Sequence, residues 1–382
     1  MRYCDKCDII EARTRFRKER NNTPMCHNNS RQNSIFCILP PYILESIAQN
    51  GTPQQRDIAL QTLTTDTTLR GLRIGQRPAT PGGPRRPRDL GPEGTKQRTI
   101  YDAHGTQDLP GDPVRVEGAP PTSDPAVNEA YDGLGATFDL YWEVYDRNSI
   151  DDEGLPLSGT VHFGQKYDNA FWDGAHMVFG DGDGELFNRF TIALDVIGHE
   201  LAHGVTQDEA QLVYFLQPGA LNESLSDVFG SLVKQRVLKQ KADQADWLIG
   251  AGLFTKKIKG VALRSMKAPG TAYNDPILGK DPQPDHMTKY VRTFRDNGGV
   301  HINSGIPNHA FYLAATQLGG YSWEKAGRIW YETLRDSRVR PLTGFRRFAQ
   351  RTITNAGRLY GEGGAEQQAV RKAWSDVGID IK

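Results

Sequence analysis

The chain has 382 residues, of which 37% are hydrophobic and 24% are charged, and its mean hydropathy is -0.57. A chain of this length can bury the cores of two or three domains. Lysine and arginine total 46, as do aspartate and glutamate, so the zero net charge gives no reason to expect a nucleic-acid or anionic-membrane partner. No apolar run approaches the roughly 18 residues that a membrane-spanning helix needs, so we predict a non-membrane protein.

The segment 1–72 differs from the rest of the chain. Its opening stretch, MRYCDKCDIIEARTRFRKER, carries charges where a secretory signal peptide has its apolar core, so no classical export signal is visible. Apolar residues at helical spacing fill positions 38–72, with interruptions at Pro40-Pro41 and Gly51.

All four cysteines of the chain fall in its first 37 residues, as Cys4, Cys7, Cys26 and Cys37. Their spacing leaves four roles open: a disulfide pair, reduced thiols, a structural zinc site, or a cap on a metal site elsewhere in the chain.

Residues 73–98 are rich in proline, glycine and arginine and nearly free of apolar residues. Such a stretch is typical of an exposed linker that is open to proteolysis. Periodic sequence resumes after it, so we expect a folded body in two halves, residues 99–207 and residues 208–382.

The first half of this body mixes predicted helix and strand. Residues 126–145 place apolar side chains near every third or fourth position, which predicts a helix. SGTVHFG and AHMVFG predict short strands, and GDGDG predicts a turn after the second. From about residue 191 helical patterns dominate, one of them with Thr343 as its predicted N-cap and Gly361 as its stop. The sequence thus predicts an α+β protein with a cleft between its halves.

The segment TIALDVIGHELAHGVTQ carries the strongest chemical signal, because His199 and His203 lie four residues apart. On an α-helix they share one face and can present both imidazoles to one point. A catalytic zinc ion takes three protein ligands and leaves one position for water. The pattern therefore indicates part of a zinc site, although two hydrogen-bonded histidines in a buried helix would have the same spacing.

A second block, ALNESLSDVFG, supplies carboxylates for such a site. Glu223 and Asp227 lie four apart on a predicted second helix, among apolar neighbours that argue against a solvated acidic face. One of the two can ligate the metal while the other accepts the second N–H of a ligating histidine. Asp195, four residues before His199, points to the same neighbourhood.

Together these blocks resemble the HExxH and GxxNExxSD signatures of the thermolysin-like zinc metallopeptidases. The resemblance extends from about residue 99 to the end, through YDNAFWDGAHMVFGDGDG, LRSM and DNGGVHINSGIPNHAFYLA. The short N-terminal segment with PPYIL is similar to the propeptide of the protealysin-type branch. The resemblance implies two domains, a β-rich first half and a helical second half, with the zinc-bearing helix at the cleft floor.

The resemblance also implies roles for the residues of the site. The implied zinc ligands are His199, His203 and Glu223, and the residues implied to support them are Asp227, Asn222 and Asp195. Coordination would lower the pKa of a bound water towards about 7, which makes hydroxide available at neutral pH.

The catalytic residues follow from the same resemblance. Glu200 would take the proton of the water as general base and pass it to the leaving amine. His301 and Tyr214 would stabilise the oxyanion, and Asp296 would orient His301.

Substrate placement is implied by the NAFW and LRSM blocks. Asn169 and Arg264 would bond to the peptide backbone, and Ala170 would lie on the edge strand to which an extended substrate adds. The pocket for the side chain after the scissile bond matches six apolar residues: Phe187, Phe190, Val196, Ile249, Leu253 and Leu263. We therefore predict a preference for Leu, Ile, Val or Phe there, in a pocket that the bulk of Phe190 makes shallower.

The calcium pattern departs from that of the larger family members. Their double calcium site uses carboxylates that match Asp195 and Asp246, but other matching positions here are Lys234, Leu248 and Ala251. Calcium needs six to eight oxygen ligands, so we expect the double site to be lost. Residues 181–184, DGDG, look like a calcium loop but are interpreted as a turn.

The leading hypothesis is a secreted zinc endopeptidase that acts as a monomer on proteins or peptides. It would be made as a precursor whose N-terminal segment inhibits it and is removed near the linker. Accumulation in the cytoplasm before release is the alternative for its location. The alternative function is a catalytically silent protein that keeps the fold and captures extended peptides.

Overall fold

The structure is a computed structural model that describes residues 36–75 and 93–381. Cys4, Cys7 and Cys26, and residues 76–92 of the predicted linker, lie outside the described residues. The described helix that precedes this gap continues to Gly75, past the predicted linker start at residue 73.

A six-stranded sheet forms the core of the first half. Its strands are β1 (Phe36–Cys37), β2 (Arg98–Asp102), β3 (Asp112–Val116), β4 (Leu157–Val161), β5 (Ala170–Trp172) and β6 (Met177–Phe179). They run in the order β1-β5-β6-β4-β2-β3, and the pairs β2–β4 and β4–β6 are parallel while the others are antiparallel. The predicted strands SGTVHFG and AHMVFG are β4 and β6. The N-terminal segment therefore supplies one edge of the sheet.

Most of the other regular elements of the described chain are helices. They are α1 (Pro41–Asn50), α2 (Pro53–Gly75), α3 (Pro125–Asp139), α4 (Leu194–Glu209), α5 (Leu216–Leu238), α6 (Asp296–Asn303), α7 (Gly305–Leu318), α8 (Ala326–Leu334), α9 (Phe345–Tyr360) and α10 (Ala365–Asp376). Short strands in the second half are β7 (Leu248–Ile249), β8 (Arg264–Ser265), β9 (Asn274–Asp275) and β10 (Gly279–Lys280). This arrangement confirms the α+β prediction of a β-rich first half and a helical second half.

Two predicted helix boundaries can be compared with the structure. The helix predicted over 126–145 is α3, followed by a π-helical turn at Leu140–Val144. Thr343 was a wrong choice of N-cap for α9, because Gly344 occupies that position and the Thr343 hydroxyl accepts the Arg340 N–H instead. Among the described helices, none is long and apolar enough to cross a membrane.

Helices α4 and α5 cross at a pair of glycines, which lets their backbones come close. A Cβ atom built on Gly230 would lie 2.3 Å from the backbone oxygen of Asp195, and one on Gly198 would lie 3.0 Å from the Gly230 Cα. Backbone atoms cannot move aside as a flexible side chain can, so both positions need glycine. This close crossing brings the histidines of α4 to the carboxylates of α5.

The His162 side chain ties the main sheet to the start of α3 and to the DGDG turn. His162 Nε2 lies 2.7 Å from Asp124, whose other oxygen accepts the Ala126 N–H as N-cap of α3. His162 Nδ1 lies 2.9 Å from Asp181. The hydrogen bond to Asp181 raises the pKa of His162 to about 9; burial opposes this rise, and the bond to Asp124 adds to it.

The DGDG segment has the contacts of a turn. The Asp183 carboxylate accepts three successive backbone N–H groups, from Glu185, Leu186 and Phe187, while Asp181 bonds to His162. Gly182 and Gly184 have φ angles of 71° and 69°, which glycine adopts without strain.

We expect Gly230→Ala to lower the free energy of unfolding by about 1–3 kcal/mol, because its methyl group would force α4 and α5 apart. Urea unfolding followed by circular dichroism measures the change. Val237→Ala, at an exposed position of α5, is the control and should have a much smaller effect. An unchanged unfolding midpoint for Gly230→Ala would contradict the close crossing.

We expect the stabilisation by His162 to depend on pH. Its folded pKa is raised, so the contribution is fully present below the ordinary value of 6.5 and is lost as the pH rises through about 9. The difference in unfolding free energy between the parent and His162→Gln should therefore be larger at pH 6 than at pH 10. Asp181→Asn removes the main cause of the raised pKa of His162, so its difference in unfolding free energy from the parent should also be larger at pH 6 than at pH 10. A difference that does not change with pH would contradict this prediction.

Candidate active site

The first feature of the site is a triad of buried ligand groups at the crossing of α4 and α5. His199 and His203 lie one turn apart on α4, and their Nε2 atoms are 3.0 Å apart. Glu223 on α5 places a carboxylate oxygen 3.5 Å from each of these nitrogens. All three side chains are buried, and their ligand atoms lie within 4.8 Å of one another. Two imidazoles and a carboxylate are the donor set that zinc prefers in catalytic sites.

The hydrogen bonds behind the triad fix which nitrogens can bind a metal. His199 Nδ1 lies 2.8 Å from an Asp227 oxygen, and His203 Nδ1 lies 2.8 Å from the Asn222 side-chain oxygen. If each Nδ1–H donates to its oxygen, each Nε2 carries a lone pair, and two lone pairs 3.0 Å apart repel unless a cation lies between them. Glu223 Oε2 has no hydrogen-bond partner among the described residues. The residues present therefore fit a zinc ion.

Asp227 connects the ligands to the substrate-binding groups. Besides His199, its carboxylate accepts two hydrogen bonds from Arg264, at 2.9 and 2.8 Å, and one from Asn308 at 2.8 Å. Burial alone would raise the pKa of Asp227, but the positive charge of Arg264 and the bond to His199 outweigh it and hold the pKa well below its ordinary value. Asp227 is therefore a fixed anion between α4 and β8. Asn308 was not predicted, although the block NHAFYLA contains it.

Glu200 lies beside the triad with one oxygen held and the other without a partner. Its Oε2 accepts the Trp172 backbone N–H at 3.0 Å, a contact that the sequence did not reveal. Its Oε1 is buried and has no hydrogen-bond partner within the described ranges. Burial, and next the negative charge of Glu223, raise the pKa of Glu200 well above its ordinary value. Such a carboxyl group readily holds a proton, as a general base must after accepting one.

His301 and Tyr214 lie on the other side of the triad. The Tyr214 hydroxyl donates to Glu223 and lies 3.2 Å from His301 Nε2. His301 Nδ1 lies 2.6 Å from Asp296, whose second oxygen accepts the His301 backbone N–H. Burial would lower the pKa of His301, but the charges of Glu223 and Asp296 outweigh it and raise the pKa. When it is protonated, the ring donates Nδ1–H to Asp296 and offers Nε2–H to an oxygen in the cleft.

The sequence DNGG gives Asp296 its position. Asp296, Asn297, Gly298 and Gly299 all have φ angles between 49° and 81°. Glycine adopts this left-handed region freely and asparagine and aspartate tolerate it, so the chain can fold back beneath His301.

The end of strand β1 and the two residues after it, Ile38 and Leu39, lie in the cleft next to the triad. The Ile38 N–H donates to the Ala170 oxygen at 3.2 Å, and the Ile38 oxygen accepts from Arg264 Nη1 at 3.1 Å. The Leu39 N–H donates to Asn169 Oδ1 at 3.0 Å. The residues expected to bind a substrate backbone thus bind the backbone of this chain.

The six residues predicted to form the apolar pocket are all buried and belong to one contiguous apolar cluster that also contains Ile38. The rings of Phe187 and Phe190 are 6.0 Å apart, which closes part of this cluster with aromatic bulk. Ile38 has no exposed surface. A fully buried aliphatic side chain of this segment thus belongs to the same core as the residues of the predicted pocket.

Helix α2 adds a polar anchor that the sequence did not indicate. The buried carboxylate of Asp66 accepts the Tyr167 hydroxyl at 2.5 Å and the Asn169 side-chain amide at 2.9 Å. Asn169 is thereby bonded to the N-terminal segment twice: its side-chain nitrogen donates to Asp66, and its side-chain oxygen accepts the Leu39 N–H.

Asp195 lies differently from what we expected, and the position of Cys37 narrows the roles that the sequence left open for it. The two oxygens of Asp195 accept from Lys234 Nζ at 2.7 Å and from the Gly250 N–H at 3.1 Å, so it binds the lysine rather than orienting a histidine. The Cys37 side chain belongs to a separate apolar cluster with Phe163, Tyr167, Phe171 and Val178, which rules it out as a cap on the metal.

Lys234 also contacts the other residues of the expected calcium position. Its ammonium lies 3.0 Å from Asp246 and donates to the Leu248 backbone oxygen at 2.7 Å. The ammonium thus takes three oxygen partners at the position where the resemblance had implied calcium ligands.

Comparisons with known proteins agree with this geometry. Residues 96–207 match the family profile of the thermolysin metallopeptidase catalytic domain, residues 210–379 that of its alpha-helical domain, and residues 37–64 that of the protealysin propeptide. An extracellular metalloprotease of Pectobacterium carotovorum subsp. carotovorum is 55% identical over 348 residues, covering 91% of this chain and 97% of the relative. Protease PrtS of Photorhabdus sp. (strain Az29) is 50% identical over 352 residues, covering 92% and 94%.

The solved structure of the precursor of protealysin, a metalloproteinase from Serratia proteamaculans, is also similar. It has a TM-score of 0.82 and 55% sequence identity, and the match covers 90% of this chain and 99% of that one. These matches, with the triad, make the chain a zinc-dependent endopeptidase produced with a propeptide. The chain belongs to the thermolysin family of metallopeptidases, in the branch with a protealysin-type propeptide.

Proposed function

We propose that this chain hydrolyses peptide bonds in extended substrates through Glu200, His301 and the buried triad. The observation that carries the proposal is that His301 Nε2 lies 3.4 Å from Glu223 of the triad and 3.2 Å from the Cys37 carbonyl oxygen, so a peptide carbonyl group lies close to the metal ligands. His199, His203 and Glu223 would hold the zinc ion, which supplies a water molecule of lowered pKa when bound.

Side chains of the site would carry out the proton transfer and stabilise the negative charge of the reaction. Glu200 accepts a proton from the attacking water through its unpartnered oxygen and returns it to the leaving amine. His301 donates its Nε2–H to the carbonyl oxygen as negative charge develops there, and the Tyr214 hydroxyl would be a second donor once it turns from Glu223 to this oxygen. Asp296 keeps the His301 ring oriented and charged.

Substrate specificity follows from the groups that bind Ile38. Arg264, Asn169 and Ala170 bind backbone atoms, which every peptide offers, so they select an extended shape rather than a sequence. The pocket with Phe187 and Phe190 is apolar and would leave a charged side chain unpaired. We therefore infer a preference for Leu, Ile, Val or Phe after the scissile bond.

The N-terminal segment would inhibit the enzyme by occupying this cleft. Its strand takes the substrate-binding contacts of Ala170, Asn169 and Arg264, and Asp66 of α2 anchors it from outside the cleft. Cleavage within the linker, followed by loss of this segment, would then expose the site. The relatives named as extracellular proteases support release from the cell. We also propose that the enzyme acts as a monomer.

The double calcium site would be replaced by Lys234. A single ammonium beside Asp195 and Asp246 neutralises one charge and cannot share the position with a divalent cation.

Glu200→Gln should lower peptide hydrolysis by about 100-fold or more, because the general base is lost. Its zinc content, measured by atomic absorption, should match the parent, since Glu200 is not a ligand. Peptides that differ only in the residue after the scissile bond give the rate, and Leu or Phe should exceed Asp. Glu366→Gln, on α10, is the control. A parent that binds zinc and peptide but cleaves nothing would support the silent peptide-binding protein instead.

Lys234→Ala should lower the free energy of unfolding by about 3–5 kcal/mol, since it leaves the buried carboxylate of Asp195 unpaired. Lys257→Ala is the matched control, because its ion pair with Glu185 is exposed and should contribute about 1 kcal/mol or less. Thermal unfolding with zinc present gives both values. A melting temperature of the parent that rises by several degrees when calcium is added would contradict the replacement of calcium by Lys234.

A further inference from the structure

The strand in the cleft is bound in the direction of a substrate. The Cys37 carbonyl oxygen faces His301, and the side chain of the next residue, Ile38, enters the apolar cluster. The contacts of the Ile38 N–H and oxygen and of the Leu39 N–H continue in the same order along the cleft. A peptide that inhibits by lying in reverse would place these groups the other way round.

The geometry selects one bond in this strand. The two neighbouring carbonyl oxygens of this stretch face different donors. The Ile38 oxygen is bound by Arg264, and the Ile38 N–H by Ala170 on the edge strand. The Cys37 oxygen is therefore the one that faces His301, and the bond it belongs to is Cys37–Ile38.

This bond also satisfies the specificity inferred for the site. Ile38 is aliphatic and fully buried, as the pocket requires of the residue after the scissile bond. The Cys37 side chain packs on the opposite face of the sheet with Phe171 and Val178, so it does not obstruct the triad.

We propose that Cys37–Ile38 is a self-cleavage site, at which the enzyme cuts its own chain in cis and removes residues 1–37. This rests on the peptidase activity proposed above. The oxygen of a water molecule bonds to the Cys37 carbonyl carbon, and the C–N bond to Ile38 breaks. One proton of the water passes through Glu200 to the Ile38 nitrogen, and the second proton follows when the new carboxyl group ionises, so the products are a carboxylate at Cys37 and an ammonium group at Ile38.

The cut separates two parts of the N-terminal segment. The propeptide match begins at residue 37, so nearly all of the matched part stays on the product that begins at Ile38. That product keeps Leu39, Ile43 and Leu44 buried and keeps Asp66 bonded to Asn169. Removal of residues 1–37 therefore differs from activation, because the product still fills the cleft beyond the cut bond.

The test follows the full chain with zinc added, by intact mass and N-terminal sequencing. We expect a new N-terminus at Ile38, formed at a rate that does not change across a wide range of protein concentrations. Glu200→Gln should not form it. Ile38→Asp should slow this cut by about tenfold or more while Ile38→Leu keeps it near the parental rate, because the pocket is apolar. Circular dichroism of both variants shows that they fold.

A second measurement does not depend on activity. In Glu200→Gln, the Ile38 and Leu39 amides should exchange hydrogen slowly, as bonded groups do, and added processed enzyme should not cut its Cys37–Ile38 bond. Fast exchange, cleavage by added enzyme, or the same cut in Glu200→Gln without added enzyme would each overturn the proposal. An enzyme that hydrolyses peptides but leaves Cys37–Ile38 intact would overturn it while the proposed function stands. A chain that hydrolyses nothing would overturn both.

Discussion

The buried carboxylate of Asp227 is the point on which the site depends. It bonds to His199 on α4 and to Arg264 on β8, so one anion both orients a metal ligand and holds the arginine that binds the peptide backbone. An ion buried in this way is stable only when its partners are all present. The close crossing at Gly198 and Gly230 brings those partners together, and the metal and substrate positions are therefore coupled by a single rigid contact.

The contacts of the N-terminal segment and those proposed for a substrate use the same atoms of this chain. Arg264, Ala170 and Asn169 recognise only the backbone of an extended peptide, and the N-terminal strand offers that backbone at a high effective concentration. A segment that binds in this way needs no reactive group of its own to block the cleft. Its own peptide bonds, however, lie next to the catalytic groups that it covers. The substrate-like direction of Cys37 and Ile38 is the consequence, since the cleft accepts an extended chain in the orientation that it cleaves.

The sequence predicted the parts of the site that lie on regular helices. His199 and His203, or Glu223 and Asp227, are four residues apart, and helical geometry alone brings each pair together. The fold class and the family followed from motifs in a fixed order. The partners of Asp195, the Asp66 anchor and the Trp172 bond to Glu200 could not be predicted, because they join residues that are distant in sequence. Thr343 failed as a cap since helix ends depend on local backbone geometry that several adjacent residues can satisfy.

The double attachment of Asn169 determines how the inhibitor can leave. Its amide oxygen holds Leu39 of the strand, and its amide nitrogen donates to Asp66 of α2. A substrate can compete with Leu39 for the Asn169 side-chain oxygen, but the Asn169 side chain is still bonded to Asp66 of α2. Displacement of the N-terminal strand alone therefore does not release Asn169. Asp66 is buried and ionisable, and its separation from Tyr167 and Asn169 requires α2 to move away as a unit. We therefore expect activation to be limited by the departure of α2 rather than by the cutting of any one peptide bond.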